Sequence, residues 1–152
     1  MKPVSWNPIL LAIQNVKKDQ MSKNQIHILI AEDEEFNYLY LAEVLNEFNV
    51  ELYRAKDGLS AVERCQSNLE IDLVLMDIRM PVMDGYTATK EIKKIRPELT
   101  VIAQTAYAME SDRKRALEEG CDDYISKPIK RDDLIKIVDK HAPDHRPLRE
   151  KV

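Results

Sequence analysis

The residues able to do chemistry stand at the ends of apolar runs. Glu32, Asp33 and Glu34 follow IHILIA, and Asp77 follows IDLVLM. Thr105 follows VIAQ, and Lys127 follows DYIS and precedes Pro128. Three carboxylates held together repel one another, and a hard divalent cation relieves the repulsion. Magnesium prefers oxygen ligands and typically takes one or two carboxylates plus a phosphate. A carboxylate in such a site is competent as a nucleophile toward phosphorus. The transferring phosphoryl group spreads its charge over three equatorial oxygens, which a metal, a lysine and a hydroxyl can each meet. Asp33, Asp77, Thr105 and Lys127 supply that set.

Each of these residues has a plainer reading by itself. Acids before a helix cap it and complement its dipole. A threonine often ends a strand, and a lysine is usually solvated. What sets these apart is the order of the elements that carry them. Ile26–Ala31, Ile71–Met76 and Val101–Ala103 are nearly continuous apolar runs, as expected of parallel strands buried on both faces. Val50–Ala55 is half alternating and suits a strand nearer the edge, and Asp123–Ser126 is a short fifth strand. Between them, Tyr38, Leu41, Ala42, Leu45 and Phe48 recur at helical spacing. So do Ala88, Ile92 and Ile95, and Leu134, Ile137 and Val138. Segments around 58–67 and 109–119 are expected as helices flanked by Asp57-Gly58 and Gly120. Five βα units with short connections predict an α/β fold, a parallel sheet covered by helices on both faces. Ligand sites of such sheets lie beyond the carboxyl ends of the strands. Four of the five strands present a reactive residue there.

The rest of the chain narrows the classes. It has 152 residues, 44% of them hydrophobic, enough for one domain with its own core. Lys plus Arg is 23 against 27 for Asp plus Glu, a net charge of −4, which argues against nucleic acid as a partner. The two cysteines, Cys65 and Cys121, form no metal-binding spacing and read as free thiols of a cytoplasmic protein. No apolar run approaches the roughly 20 residues that span a bilayer, so no membrane contact is expected. The start of the chain, broken by Ser5, Asn7 and Pro8, does not read as a signal peptide. Asn7-Pro8 looks like a helix start, with Ile9, Ala12, Ile13 and Val16 on one face and a polar linker over 17–24. Such a helix is either an appendage, docked on the domain or left from a longer parent chain, or a helix for dimerisation or another partner. The expected division is 1–24 for that helix and linker, 25–141 for the domain, and 142–152 for a tail.

The blocks ILIAEDEEFN, VLMDIRMPVMDG, VIAQTAYA and GCDDYISKPI closely resemble those of two-component response-regulator receiver domains, in order and at that family's spacing. The resemblance spans residues 26–140 and is closest to the receivers of hybrid sensor histidine kinases. It implies a flavodoxin-like, doubly wound (βα)5 fold with strand order 2-1-3-4-5. It implies Asp77 as the phosphate acceptor, with Glu32 and Asp33 as the acidic pair that holds Mg2+, or Mn2+ in its place. The backbone carbonyl of Arg79 would complete the metal ligands. Thr105 would sense the phosphoryl group, Lys127 would pair with it, and Tyr124 matches the aromatic switch. A cis Lys127–Pro128 bond is also implied.

By the same resemblance the partner is a sensor histidine kinase or a histidine phosphotransfer protein. A homodimer would form through the face made by the last two helices and the fifth strand. HAPDHRPLREKV holds no effector, so output is expected through protein contact or phosphorelay. Two positions depart from the family. Glu34 adds an acid where asparagine is common, and Cys121 stands where a small residue is usual. Arg79 and Tyr107 are large, and would restrict water and slow hydrolysis of an acyl phosphate. The competing reading is a phosphatase of the haloacid-dehalogenase type. It needs a second acid two residues beyond the nucleophile, whereas Arg79 follows Asp77, and Glu35 follows Asp33 in a block lacking the next threonine. A flavin module would need a hydroxyl-rich phosphate loop where this chain places four acids.

Overall fold

The structure, a computed structural model, describes residues 7–106 and 109–151. The elements run α1 (Pro8–Lys23), β1 (Ile26–Ala31), α2 (Glu35–Leu45), β2 (Val50–Ala55), α3 (Gly58–Ser67) and β3 (Leu73–Asp77). Then follow α4 (Gly85–Ile95), β4 (Thr100–Thr105), α5 (Glu110–Glu118), β5 (Asp123–Ser126) and α6 (Arg131–His141). All five strands are parallel, in the order β2-β1-β3-β4-β5. The doubly wound fold expected from the sequence is present.

Every residue of β1 and β3 is buried, because helices cover both sheet faces. Successive side chains alternate between two cores. Leu29, Ala31, Val74, Met76, Val101 and Ala103 meet α3, α4 and α5 on one face. Ile26, Ile28, Ile30, Leu73, Leu75 and Ile102 meet α2 and α6 on the other. From β1 the chain steps one way to β2, then crosses back to β3 on the other side. That reversal leaves a crevice above β1 and β3.

Two glycines bring the loops over this crevice into close contact. A Cβ on Gly85 would lie 2.2 Å from the carbonyl oxygen of Asp77, so only glycine lets α4 start directly against that strand end. A Cβ on Gly58 would lie 2.0 Å from the carbonyl oxygen of Met83, and its absence seats the start of α3 on the β3–α4 loop. Asp57 and Asp84 cap those two helices, accepting from the amides of Ser60 at 2.7 Å and Thr87 at 2.8 Å.

Asn7 caps α1 as expected, its Oδ1 accepting from the amides of Ile9 and Leu10. The segment expected as linker is helical through Lys23, since Lys17, Lys18, Gln20 and Met21 are strong helix formers uninterrupted by Gly or Pro. Its apolar face does not dock: Ile9 is 71% exposed and Val16 54%. The tail, by contrast, folds back. Leu148 packs against the second core, Phe48 and Glu150 form an antiparallel bridge, and Arg146 reaches Asp72. No helix among the described residues is long and apolar enough to cross a membrane.

Candidate functional site

The strand register delivers the acids to one place. Ala31 pairs with Met76, so Glu32 follows beside Asp77 at the carboxyl end of the sheet. Oxygen atoms of Glu32, Asp33 and Asp77 lie within 4.8 Å of one another, with Glu32 and Asp77 buried and Asp33 exposed. Lys127 arrives from the end of β5, its Nζ 3.2 Å from Glu32 Oε2 and 3.2 Å from Asp77 Oδ2. The Lys127–Pro128 bond is cis, as implied by the resemblance. The amide of Lys127 donates to the carbonyl of Thr105 at 2.7 Å, which ties the lysine loop to the end of β4.

The charges do not balance locally. Three carboxylates face one ammonium group, and two of those acids are out of water. Burial pushes the Glu32 carboxyl above its ordinary range, and the charge of Asp77 adds to this against the pull of Lys127. Burial raises Asp77 likewise, opposed by Lys127 and by the Arg79 amide, which donates to its Oδ1 at 3.2 Å. Burial disfavours the charged form of Lys127, but Asp77 and Glu32 outweigh this and raise its pKa. Two buried acids that retain protons more tightly than usual, open to a third, make a donor set suited to a hard divalent cation.

The cleft above them, about 310 Å³, is lined by Asp77, Thr105 and Lys127, with Glu34 and Asn37 on one wall and Arg115 on another. The four consecutive acids after β1 take different parts. Glu34 accepts from Asn37 Nδ2 at 3.1 Å, and Glu35 turns away to an ion pair with Arg54. Tyr124 lies apart, half-buried on the face formed by α5, β5 and α6, with the Arg113 guanidinium 5.9 Å from its ring centre. Tyr107 lies outside the described residues. Gln104 and Arg115 are among the cleft residues that the sequence pattern does not single out. Gln104 had a readable signal, a polar residue inside an otherwise apolar buried strand. Arg115 had none, because a basic residue on an exposed helix is ordinary.

A doubly wound sheet with three acids and a lysine converging above the switch in strand order defines a phosphoryl-handling class of α/β protein. Residues 28–139 match the response regulator receiver domain family, and the chain belongs to that family. It is a receiver domain of two-component signalling. It is 38% identical over 133 residues to hybrid signal transduction histidine kinase G of Dictyostelium discoideum, covering 84% of this chain and 4% of that kinase. The match likewise covers only 6% of histidine protein kinase 1 of Candida albicans and 20% of the transcription factor SKN7 of Saccharomyces cerevisiae. Among solved structures it resembles the receiver domain of the sensor histidine kinase PA1611 from Pseudomonas aeruginosa PAO1. That pair shares 34% identity and a TM-score of 0.71, over 77% of this chain and 97% of that one. The Pseudomonas structure carries a magnesium ion in its active site cleft. It also resembles the Saccharomyces cerevisiae Ssk1 receiver, solved with the histidine phosphotransfer protein Ypd1, at 28% identity and a TM-score of 0.72 over 79% and 94% of the two chains. Nothing in the site favours the phosphatase reading, since Glu35, the acid two residues after Asp33, is committed to Arg54.

Proposed function

We propose that Asp77 accepts a phosphoryl group from a phosphohistidine on a sensor kinase or histidine phosphotransfer protein. A carboxylate oxygen of Asp77 attacks phosphorus, the P–N bond breaks, and the imidazole keeps the electron pair and takes a proton. The observation that carries this reading is the buried Asp77 carboxylate, 3.2 Å from Lys127 Nζ inside an acidic cluster at the strand-order switch. Asp33, Asp77 and the carbonyl of Arg79 would hold Mg2+ or Mn2+, with Glu32 beside them. The ion would neutralise the carboxylates and the transferring oxygens. Lys127 meets a phosphoryl oxygen, and Thr105 hydrogen-bonds another. The site catalyses only its own phosphorylation and dephosphorylation.

The output is a switch. Thr105 is drawn toward the phosphoryl oxygens, Tyr124 turns inward, and the face of α5, β5 and α6 is reshaped for a partner or a second copy. Coupling of this kind is typically worth about 1–3 kcal/mol. The setting is cytoplasmic, where buried Cys65 and Cys121, each pushed by burial up to about 11, stay as inert thiols. The test is incubation of the chain with Mg2+ and a small acyl phosphate donor. Intact mass should rise by about 80 Da, one phosphoryl group, and Asp77→Asn should abolish the gain. A gain that persists in Asp77→Asn moves the acceptor elsewhere.

A further inference from the structure

One polar side chain in the cleft has no part in that scheme. Gln104 is 1% exposed on β4, and among the described residues neither its Oε1 nor its Nε2 has a hydrogen-bond partner. No other buried side chain among the described residues is left so. A buried carboxamide without partners is costly, because it has given up water and gained nothing in return. A leucine of similar size would fill the place without that cost, and Ile102, two residues earlier on the same sheet face, shows that apolar side chains pack there.

The register says what the carboxamide faces. Gln104 lies directly opposite Asp77 on β3, and laterally paired residues of parallel strands project from the same side of the sheet, about 5 Å apart. Gln104, Asp77 and Lys127 line the same cleft. An unmet donor therefore stands beside the atom that gains negative charge when the site is loaded.

We infer that Gln104 is a positioning residue for the phosphorylated state, its Nε2 donating a hydrogen bond to a non-bridging oxygen of the oxyanion carried on Asp77. The inference rests on the reading of Asp77 given above. A neutral donor suits this place. It adds no cation to compete with the metal for Glu32, Asp33 and Asp77, yet it stabilises an anion more strongly than it would a neutral acceptor.

The test uses the full chain with Mg2+, and beryllium fluoride as a tetrahedral phosphoryl mimic. Gln104→Leu should bind Mg2+ alone within about twofold of the parent, since the carboxamide is not a ligand in the unloaded site. Its melting temperature should rise, because an unpaired amide has been replaced by hydrocarbon. Its affinity for beryllium fluoride should fall by about tenfold, the size expected for one hydrogen bond to a charged group. In the parent, the side-chain amide resonances of Gln104 should shift on loading. Unchanged beryllium fluoride affinity in Gln104→Leu, with labelling of Asp77 intact, would make Gln104 a mere core residue and leave the acceptor assignment standing. Absence of labelling in the parent would instead sink the acceptor assignment. Should Gln104→Leu fail to fold, the parent's amide resonances decide alone, and no shift on loading overturns the inference.

Discussion

The two ends of the same sheet each hold an acid largely withdrawn from water against a cation, and they solve the problem differently. At the amino end, Asp72 takes both arms of the Arg146 guanidinium, at 2.6 and 2.9 Å, and also the His27 amide at 2.9 Å. The same guanidinium donates to the carbonyl of Gln25 at 2.9 Å, and His27 Nδ1 meets the Tyr53 hydroxyl at 2.8 Å. One carboxylate is matched by one fork and one amide. At the carboxyl end, Glu32 and Asp77 share a single lysine, Asp33 adds a third charge, and among the described residues Gln104 has no hydrogen-bond partner. A network in which each group is met holds the chain in place. One left short of cations and acceptors is incomplete until something arrives, and such incompleteness marks sites of chemistry.

The largest effect separating the two ends is expected from removing residues 144–152. This deletes the Arg146 fork, the packing of Leu148 and the main-chain pairing of Arg149 with Asn49 and of Lys151 with Glu47. Loss of a bidentate, largely buried pair together with a core contact should cost about 3 kcal/mol. For a chain of this size, that lowers the melting temperature by about 6–12 °C. Phosphate gain at Asp77 below the new melting point should be unchanged. If labelling fell in step with stability, the amino end would not be a separate structural clamp.

A smaller effect, of opposite sign, is expected at the carboxyl end. Burial raises Asp77 and Glu32 above their ordinary values, so between those values and the raised ones the folded state binds more protons than the unfolded. Stability without metal must then fall as pH rises through that window. Asp77→Asn removes one of the two buried charges and leaves Lys127 to Glu32. It should stabilise the metal-free chain by about 1–2 kcal/mol at neutral pH, a gain that shrinks as pH falls toward the ordinary carboxylate range. Added Mg2+ should raise the melting temperature of the parent more than that of the variant. Thermal melts with chelator or Mg2+, at several pH values, check both statements. A variant less stable than the parent at neutral pH without metal would show that Lys127 already balances the site.

These two ends also differ in how far the sequence reveals them. Glu32, Asp33, Asp77, Thr105 and Lys127 were legible because each ends an apolar run, and strand ends converge in a parallel sheet. The alternation of apolar runs with helical spacings gave the sheet and its covering helices. The clamp was not legible. Arg146 lies in a Pro-rich tail 74 residues beyond Asp72, and no local periodicity links a tail arginine to a loop aspartate. Gln104 was half legible: its polar type in a buried strand was visible, but its lack of a partner is a property of three dimensions. The extent of α1 was underestimated because a polar run reads as linker, although its residues favour helix.

The smallest effect sharpens the comparison at the amino end. Tyr53→Phe deletes only the hydroxyl 2.8 Å from His27 Nδ1 and keeps the stacked rings, 5.8 Å apart at 19°. The imidazole then has Glu70 Oε2 at 3.9 Å as its nearest charged neighbour, on a side chain that is 75% exposed. A lost neutral hydrogen bond is worth about 0.5–1.5 kcal/mol, and the low end applies where water can enter from an edge strand such as β2 to replace the hydroxyl. The melting temperature should therefore drop by only about 1–3 °C. Asp72 and Arg146 do not use the Tyr53 hydroxyl, so their pairing should survive, and acyl-phosphate lifetime at the far end should not change. Denaturant melts of Tyr53→Phe, Arg146→Ala and the double variant decide the matter. Additive losses mean that the amino end is a set of separately satisfied pairs. A coupling above about 1 kcal/mol would make it one cooperative network, closer in kind to the cluster around Asp77 than the distances suggest.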